Sequence, residues 1–140
     1  MVFPRKVNGF SLIELVITVA IFAIIASIAV PSYTQFVLKG NRIDAKEMLL
    51  EAAVAQERFF YNNPAVGYTN DPEVLGFVGG VSDEEHYTLA VGVVNDNVNG
   101  INSFTLTANA AGSQRGDTDC LTITLASTGR KTSAPEADCW

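Results

Sequence analysis

Imidazole and thiol groups are scarce in this chain. His86 is the sole histidine, and Cys120 and Cys139 are the sole cysteines, in 140 residues. There is no CxxC, and no histidine pair stands near either cysteine, so zinc-binding and thioredoxin-like readings lack their donor sets. Nucleophile motifs such as G-x-S-x-G are missing, and no cysteine has a histidine at a spacing that suggests a catalytic pair. The residues therefore point to no enzyme, no metal and no cofactor. Basic charge is also short, with nine Lys and Arg against fifteen Asp and Glu, a net charge of −6. An acidic chain is a poor default partner for nucleic-acid backbones unless a local basic stripe overrides the total. Repeats and low-complexity tracts are lacking, and the length allows one modest domain.

What the chain has in abundance is a single apolar run. Phe10–Val30 is 21 residues long with Glu14 as its only charge. As a helix it covers about 30 Å, the thickness of a bilayer's hydrocarbon core. A secretory signal peptide has an apolar core of only about 7–15 residues and ends in a small-residue cleavage site. This run is longer and leads into Pro31. Arg5 and Lys6 precede it, so the positive-inside rule leaves the N-terminus in the cytoplasm and sends the rest of the chain outside. In that compartment an oxidised Cys120–Cys139 pair closes a loop of about 20 residues, worth roughly 3 kcal/mol; in a cytosolic protein the two would be free thiols. Glu14 is costly, on the order of 2.5–3.5 kcal/mol at a bilayer centre and less near an interface. Either it reaches water at the cytoplasmic boundary, or it has a charged partner. A cut between Gly9 and Phe10 supplies one, the new α-amino group at the head of the helix on a neighbouring copy. The same cut removes Arg5 and Lys6, leaving seven basic against fifteen acidic side chains, or −8.

Beyond Pro31 the helical pattern continues to Tyr61. Ala45, Met48, Leu49, Ala52, Ala55 and Phe59 recur at three- and four-residue steps, while Asp44, Glu47, Glu51 and Arg58 follow the other face. Pro31 and Gly40 are the points where kinking or local melting is expected. Residues 62–86 read as a loop from the turn-rich "NNPAVGY", "TNDPEV" and "VGGVSDEEH". Three β-type runs follow, Tyr87–Val94, Ser103–Ala110 and Cys120–Ala126. The expected fold is α+β: a long N-terminal helix, membrane-spanning over 10–30 and amphipathic over 31–61, packed on an antiparallel sheet of three or four strands within 87–140. Phe59, Phe60 and Tyr61 are expected in the helix-to-sheet core. The ending "STGRKTSAPEADCW" has no periodicity and would fray without the disulfide as a tie.

Weaker site candidates remain. "NDNVNG" places Asn95, Asn97 and Asn99 as in the first half of a calcium loop, but Leu106 stands where a bidentate glutamate is needed, so a hairpin turn is the better reading. His86 beside Asp83, Glu84 and Glu85 reads as a solvated loop histidine. Arg115, Arg130 and Lys131 are candidates for clustering near one end of the sheet as a phosphate-contacting surface, opposed by many acidic neighbours.

The stretch Gly9-Phe10-Ser11-Leu12-Ile13-Glu14-Leu15, after a short basic leader and before an unbroken apolar helix, resembles the prepilin signature of the type IV pilin family. That resemblance implies the type IV pilin fold and removal of residues 1–9 by a membrane prepilin peptidase that cuts after Gly9 and N-methylates Phe10. It also implies a role for Glu14 in assembly. The short leader resembles that of type IVa proteins. Cys120 opening a strand, then "TGRK", then the terminal Cys139-Trp140 resembles a group of minor pilins with a C-terminal disulfide, in which the enclosed segment, here Thr128 to Asp138, is displayed outward. The implied partners are other pilin subunits and the pilus assembly platform; the implied locations are the inner membrane, as a single N-in, C-out span, and then the extracellular pilus. The related pseudopilins of type II secretion share the N-terminal logic and are the alternative, with the cysteine pair favouring a pilin. Some pseudopilins bind calcium in the C-terminal region, but Asp117 and Asp119 alone do not make such a site and read as a solvated turn. A displayed adhesin or DNA-binding subunit is the third reading.

Overall fold

A computed structural model describes residues 9–96, 101–136 and 138–140. Residues 1–8, with Arg5 and Lys6, and residues 97–100, on which the sequence reading places a leader and a hairpin turn, lie outside the described residues, as does Ala137. The chain divides into two compact units, Met1–Phe36 and Val37–Trp140.

In the first unit a helix, α1 (Leu12–Asn62), begins after three non-helical residues. The Ser11 carbonyl accepts the N–H groups of Glu14 and Leu15 at 3.1 and 3.2 Å, closing the first turn. Glu14 sits in that turn, where the partial positive charge of a helix N-terminus favours a carboxylate. The apolar segment that follows has a mean hydropathy of 2.7 and buries nothing within the chain. A helix this apolar and uncovered requires a second apolar phase around it. Thr18 and Ser27 donate their hydroxyls to the carbonyls of Leu15 and Ile24, at 2.8 and 2.7 Å, so neither presents an unpaired donor to that phase. The backbone stays α-helical through Pro31 and, in the second unit, through Gly40, where local melting was expected. Leu38, two residues before Gly40, is buried, and Asn41 just after it is hydrogen-bonded outside the helix, so the chain is held on both sides of the glycine.

The second unit packs the rest of α1 on an antiparallel sheet. Its strands are β1 (Tyr87–Asp96), β2 (Ile101–Ala110), β3 (Cys120–Ala126) and β4 (Lys131–Pro135), in that spatial order. Ala45, Met48, Leu49 and Ala52 are buried on the helix, and Tyr87, Leu89, Phe104, Leu106, Ala108, Ile123 and Leu125 on the sheet. The side chains of the two faces, small at Ala45, Ala52 and Ala108 and large at Met48, Leu49, Phe104 and Leu106, together fill the space between helix and sheet. Cys120 and Ile123 are three apart yet both buried, which a regular strand forbids. A register irregularity between Cys120 and Thr122 in the β3–β4 pairing corrects the parity.

Three differences from the sequence reading have physical causes. β4 has no apolar alternation because it is an edge strand, held by its ladder to β3 rather than by a buried face. Tyr61 is 84% exposed instead of in the core; it lies nine residues beyond Ala52, and at about 100° per residue that is the opposite side of the helix. Asp44 is buried among the core residues instead of following the polar face.

The loop over residues 63–86 crosses one flank of α1 and drops Leu75 and Phe77 into the core. At Gly67 the backbone takes φ +87°, and a Cβ would run into the Asn95 side chain. That amide accepts the Tyr68 N–H at 2.9 Å and donates to the Tyr68 carbonyl at 2.8 Å, so it cannot step aside without breaking both bonds. Asn95 is thus a strand residue that pins the loop. Gly67→Ala is expected to cost about 1–3 kcal/mol, read as a drop of several degrees in the melting temperature of the detergent-solubilised chain; an unchanged melt would contradict the close approach.

Candidate functional site

The residues singled out by sequence fall in two places. Gly9 and Phe10 stand in non-helical backbone just ahead of α1, exposed, with Phe10 at 80%. Among the described residues nothing lies within 4 Å of where a Gly9 Cβ would be, so none of them requires glycine there. Glu14 follows one turn on, exposed, at the head of the uncovered apolar helix.

The second place is the C-terminal surface. Cys120 and Cys139 are joined, with Cα atoms 5.9 Å apart and both residues buried. Around the bridge the Asp119 carbonyl accepts the Glu136 N–H at 2.9 Å, and the Trp140 indole N–H donates to the Thr132 carbonyl at 2.9 Å. The Lys131 ammonium sits 4.7 Å from the centre of the Trp140 ring. The ending that looked free to fray is therefore tied at several points. Arg130 and Lys131 are exposed at the Ala126 end of β3, whereas Arg115 is exposed on a short 3-10 turn (Gly112–Gly116) that precedes its Cys120 end. Six strand steps separate the ends of β3, about 20 Å. The structure does not bring the three cations together.

What holds these surfaces in place is a set of polar anchors on the buried side of α1. Arg42 forms a bidentate pair with Asp117, Nε to Oδ2 at 2.7 Å and Nη2 to Oδ1 at 2.8 Å. Asp117 is 1% exposed and Arg42 12%. Asp117 is thus no solvated turn carboxylate: it is committed to the guanidinium, and among the described residues no group of three or more His, Cys, Asp or Glu could hold a metal. Gln114 is buried beside the pair, its Nε2 within hydrogen-bond distance of the Leu38 carbonyl, the Tyr87 hydroxyl and Asp117. The Asn41 amide donates to Gln114 Oε1 at 3.1 Å. The hydrogen bond to Asp117 holds the Arg42 pKa above its usual value, against the opposing effect of burial.

Two further anchors hold the 63–86 loop. The Ser82 hydroxyl donates to Asp44 at 2.6 Å and accepts the Tyr87 N–H at 3.0 Å. Gln56 exchanges two hydrogen bonds with the backbone of Thr69. Sequence reasoning missed all three anchors. The only signal was a polar residue interrupting the apolar stripe at Asp44 and again at Gln56. Phe60 stacks on Tyr68, which meets Phe104 edge-on, so the aromatic cluster enters the core through Tyr68 rather than through Tyr61.

Burial pushes the Tyr87 phenol up to about 12, with the Asp117 charge adding to the rise and the Gln114 hydrogen bond opposing it. The unfolded phenol ionises near 10, so this contribution to stability is whole below pH 10 and is lost as pH rises through about 12. Denaturant titrations across that window should show a fall in wild-type stability that is smaller in Tyr87→Phe. Identical pH slopes would mean that the buried phenol is not the group responsible.

Comparison with known proteins bears on both places. Residues 31–124 match the family described as "Type IV minor pilin ComP, DNA uptake sequence receptor", and residues 4–30 match the prokaryotic N-terminal methylation motif. The type IV major pilin protein PilA of Myxococcus xanthus (strain DK1622) is 38% identical over 74 residues, which cover 53% of this chain and 32% of PilA. The chain therefore spans about a third of that relative's length. A solved type IV pilin from Shewanella oneidensis superposes with a TM-score of 0.48 at 22% identity, over 74% of this chain and 97% of the other.

Proposed function

The chain belongs to the family of the type IV minor pilin ComP, DNA uptake sequence receptor, which matches two thirds of its length, and from that premise we propose that it is a minor structural subunit of a type IV pilus. The observation that carries the reading is an apolar helix, uncovered within the chain, headed by an exposed Gly9-Phe10 bond and one carboxylate. A prepilin peptidase removes residues 1–9 and methylates the Phe10 amine. The helix then holds the subunit in the inner membrane, N-terminus inward, until the assembly platform moves it into the fibre. Its side chains exchange lipid tails for other subunits' apolar helices, surroundings of similar polarity, so little hydrophobic free energy opposes the transfer. Glu14 is the exception. A carboxylate in that environment needs a partner, and the Phe10 amine of a neighbouring copy provides one only when the two helices are in register.

Gly9→Asp should leave the chain at its full precursor mass. Glu14→Ala should be processed and inserted normally but be depleted from sheared filaments. Intact-mass spectrometry of filaments and membranes reads both: the expected wild-type species runs from Phe10 to Trp140 with one added methyl and two hydrogens fewer. A mature protein found in membranes and never in filaments would favour the type II secretion pseudopilin reading.

The family match also favours a role in DNA uptake. The exposed Arg130 and Lys131 are the strongest phosphate-contact pair, with Arg115 as a separate contact because of its position beyond the far end of β3. In gel shifts with the full chain in detergent, Arg130→Ala with Lys131→Ala should weaken DNA binding and lower the slope of log affinity against log salt by about 1–2. Binding with an unaltered slope would rule this pair out.

A further inference from the structure

The segment joining β2 to β3 is built on a period of three. The Gln114 N–H donates to the Ala111 carbonyl at 2.9 Å, the Asp117 N–H to the Gln114 carbonyl at 2.9 Å and the Cys120 N–H to the Asp117 carbonyl at 3.1 Å, so three tight turns follow end to end. A repeat of three residues brings every third side chain to one side. Gln114, Asp117 and Cys120 are accordingly buried corners. The pairs between them, Gly112-Ser113, Arg115-Gly116 and Thr118-Asp119, are exposed, and Arg115 is their one cation.

Both corners that flank Arg115 are gripped from outside the segment, largely by one turn of α1. At the first corner Gln114 Nε2 lies 2.9 Å from the Leu38 carbonyl and 3.0 Å from the Tyr87 hydroxyl, while the Asn41 amide donates to Gln114 Oε1. At the second, Arg42 holds Asp117 through two parallel bonds, which fix the carboxylate in angle as well as distance. Gln114 Nε2 is also 3.2 Å from Asp117 Oδ2, so the two corners are tied to each other. Between them Gly116 sits close to α1, where an added Cβ would lie 3.6 Å from Leu38 Cδ1. The Arg115 backbone is thus fixed on both sides within three residues. Its guanidinium is left for an outside anion, since among the described residues the ion pair is Arg42–Asp117 and neither Asp117 nor Asp119 pairs with Arg115.

We propose that Arg42, Asp117 and Gln114 are positioning residues for DNA, holding Arg115 where it meets a backbone phosphate. A cation on a loose turn loses part of its attraction to the ordering of that turn on binding, and a turn already fixed avoids the loss. Arg42 is not itself the contact, being 12% exposed and committed to Asp117. One arginine therefore places another, and a buried aspartate favours the binding of a polyanion. This rests on the reading of Arg115 as a phosphate contact.

The test is a set of gel shifts with a short mixed-sequence DNA duplex and the full chain in detergent, below the melting temperature of every variant. Arg115→Ala is expected to lower the slope of log affinity against log salt by about 1. Asp117→Asn removes a negative charge, so net charge alone would tighten binding; the expected result is weaker binding, with a slope lowered by about 1. Adding Arg115→Ala to Asp117→Asn should then cost nothing further. Arg42→Lys keeps the net charge and is expected to shift affinity and slope in the same direction, and it carries the comparison if Asp117→Asn does not fold. Binding by the positioning variants as tight as wild type, or a full further loss on adding Arg115→Ala, overturns the proposal. Absence of DNA binding by the wild-type chain instead defeats the phosphate-contact reading. In that event the fixing of the turn is read by trypsin, which cuts after Arg115: faster release of the fragment ending at Arg115 from Arg42→Lys than from wild type is expected, and equal rates overturn the positioning role.

Discussion

Everything in the unit Val37–Trp140 depends on one stripe of α1 being wide enough to carry apolar contacts and polar anchors at once. Ala45, Met48, Leu49 and Ala52 bind the sheet without direction, since burial rewards any close fit. Arg42, Asp44 and Gln56 add direction, each reaching one target at a fixed distance. Taking a guanidinium and a carboxylate out of water is costly, and the bidentate geometry of Arg42 and Asp117 is what offsets that cost. A pair of this kind contributes less to net stability than to choosing one arrangement over near alternatives. Here the arrangement chosen is the seating of the turn that carries Arg115.

The same helix must satisfy two different solvents. Its first unit exposes an almost uncharged surface that demands an apolar phase, and its second builds a core of its own. Charge is correspondingly rationed. One carboxylate stands at the head of the apolar segment, while the other exposed acidic side chains lie on the 63–86 loop, on α1 beyond Val37 and between Asp119 and the C-terminus, where water or another charged surface meets them. The tyrosines follow the same logic. Tyr87 is buried and held neutral, Tyr68 is sandwiched between Phe60 and Phe104 with its phenol raised by burial and by Glu57, and Tyr61 is left outside.

Local signals were legible in the chain, and distant ones were not. Three- and four-residue spacing marks the helix face from Ala45 to Ala52, β-type composition marks β1 to β3 with partial alternation in β2 and β3, and the run from Gly9 to Glu14 points to the family. Each rests on residues within a turn or a strand of one another. Arg42 and Asp117 are 75 positions apart, and nothing near either announces the other. Asp117 read as solvated because a carboxylate in a Gly-Asp-Thr-Asp turn usually is. β4 carries no sequence signal because edge pairing imposes no alternation, and Tyr61 does not share the face of Phe59 and Phe60 because a helix spreads three consecutive residues over more than half its circumference.

The anchors at Thr69 and Ser82 fix two points of the 63–86 loop on a rigid helix, Gln56 holding one and Asp44 the other. Between Arg42 and Gln56 a single inserted or deleted residue would turn one anchor about 100° away from its target, so the length of that helical stretch is immutable even where its outward residues are not. Between Thr69 and Ser82 the reverse holds: the ends are clamped, and the span is free to change so long as it still plugs the core with its own counterparts of Leu75 and Phe77. The domain therefore carries a replaceable cassette on an invariant frame, and a lineage can rewrite what this flank meets without renegotiating how the protein folds.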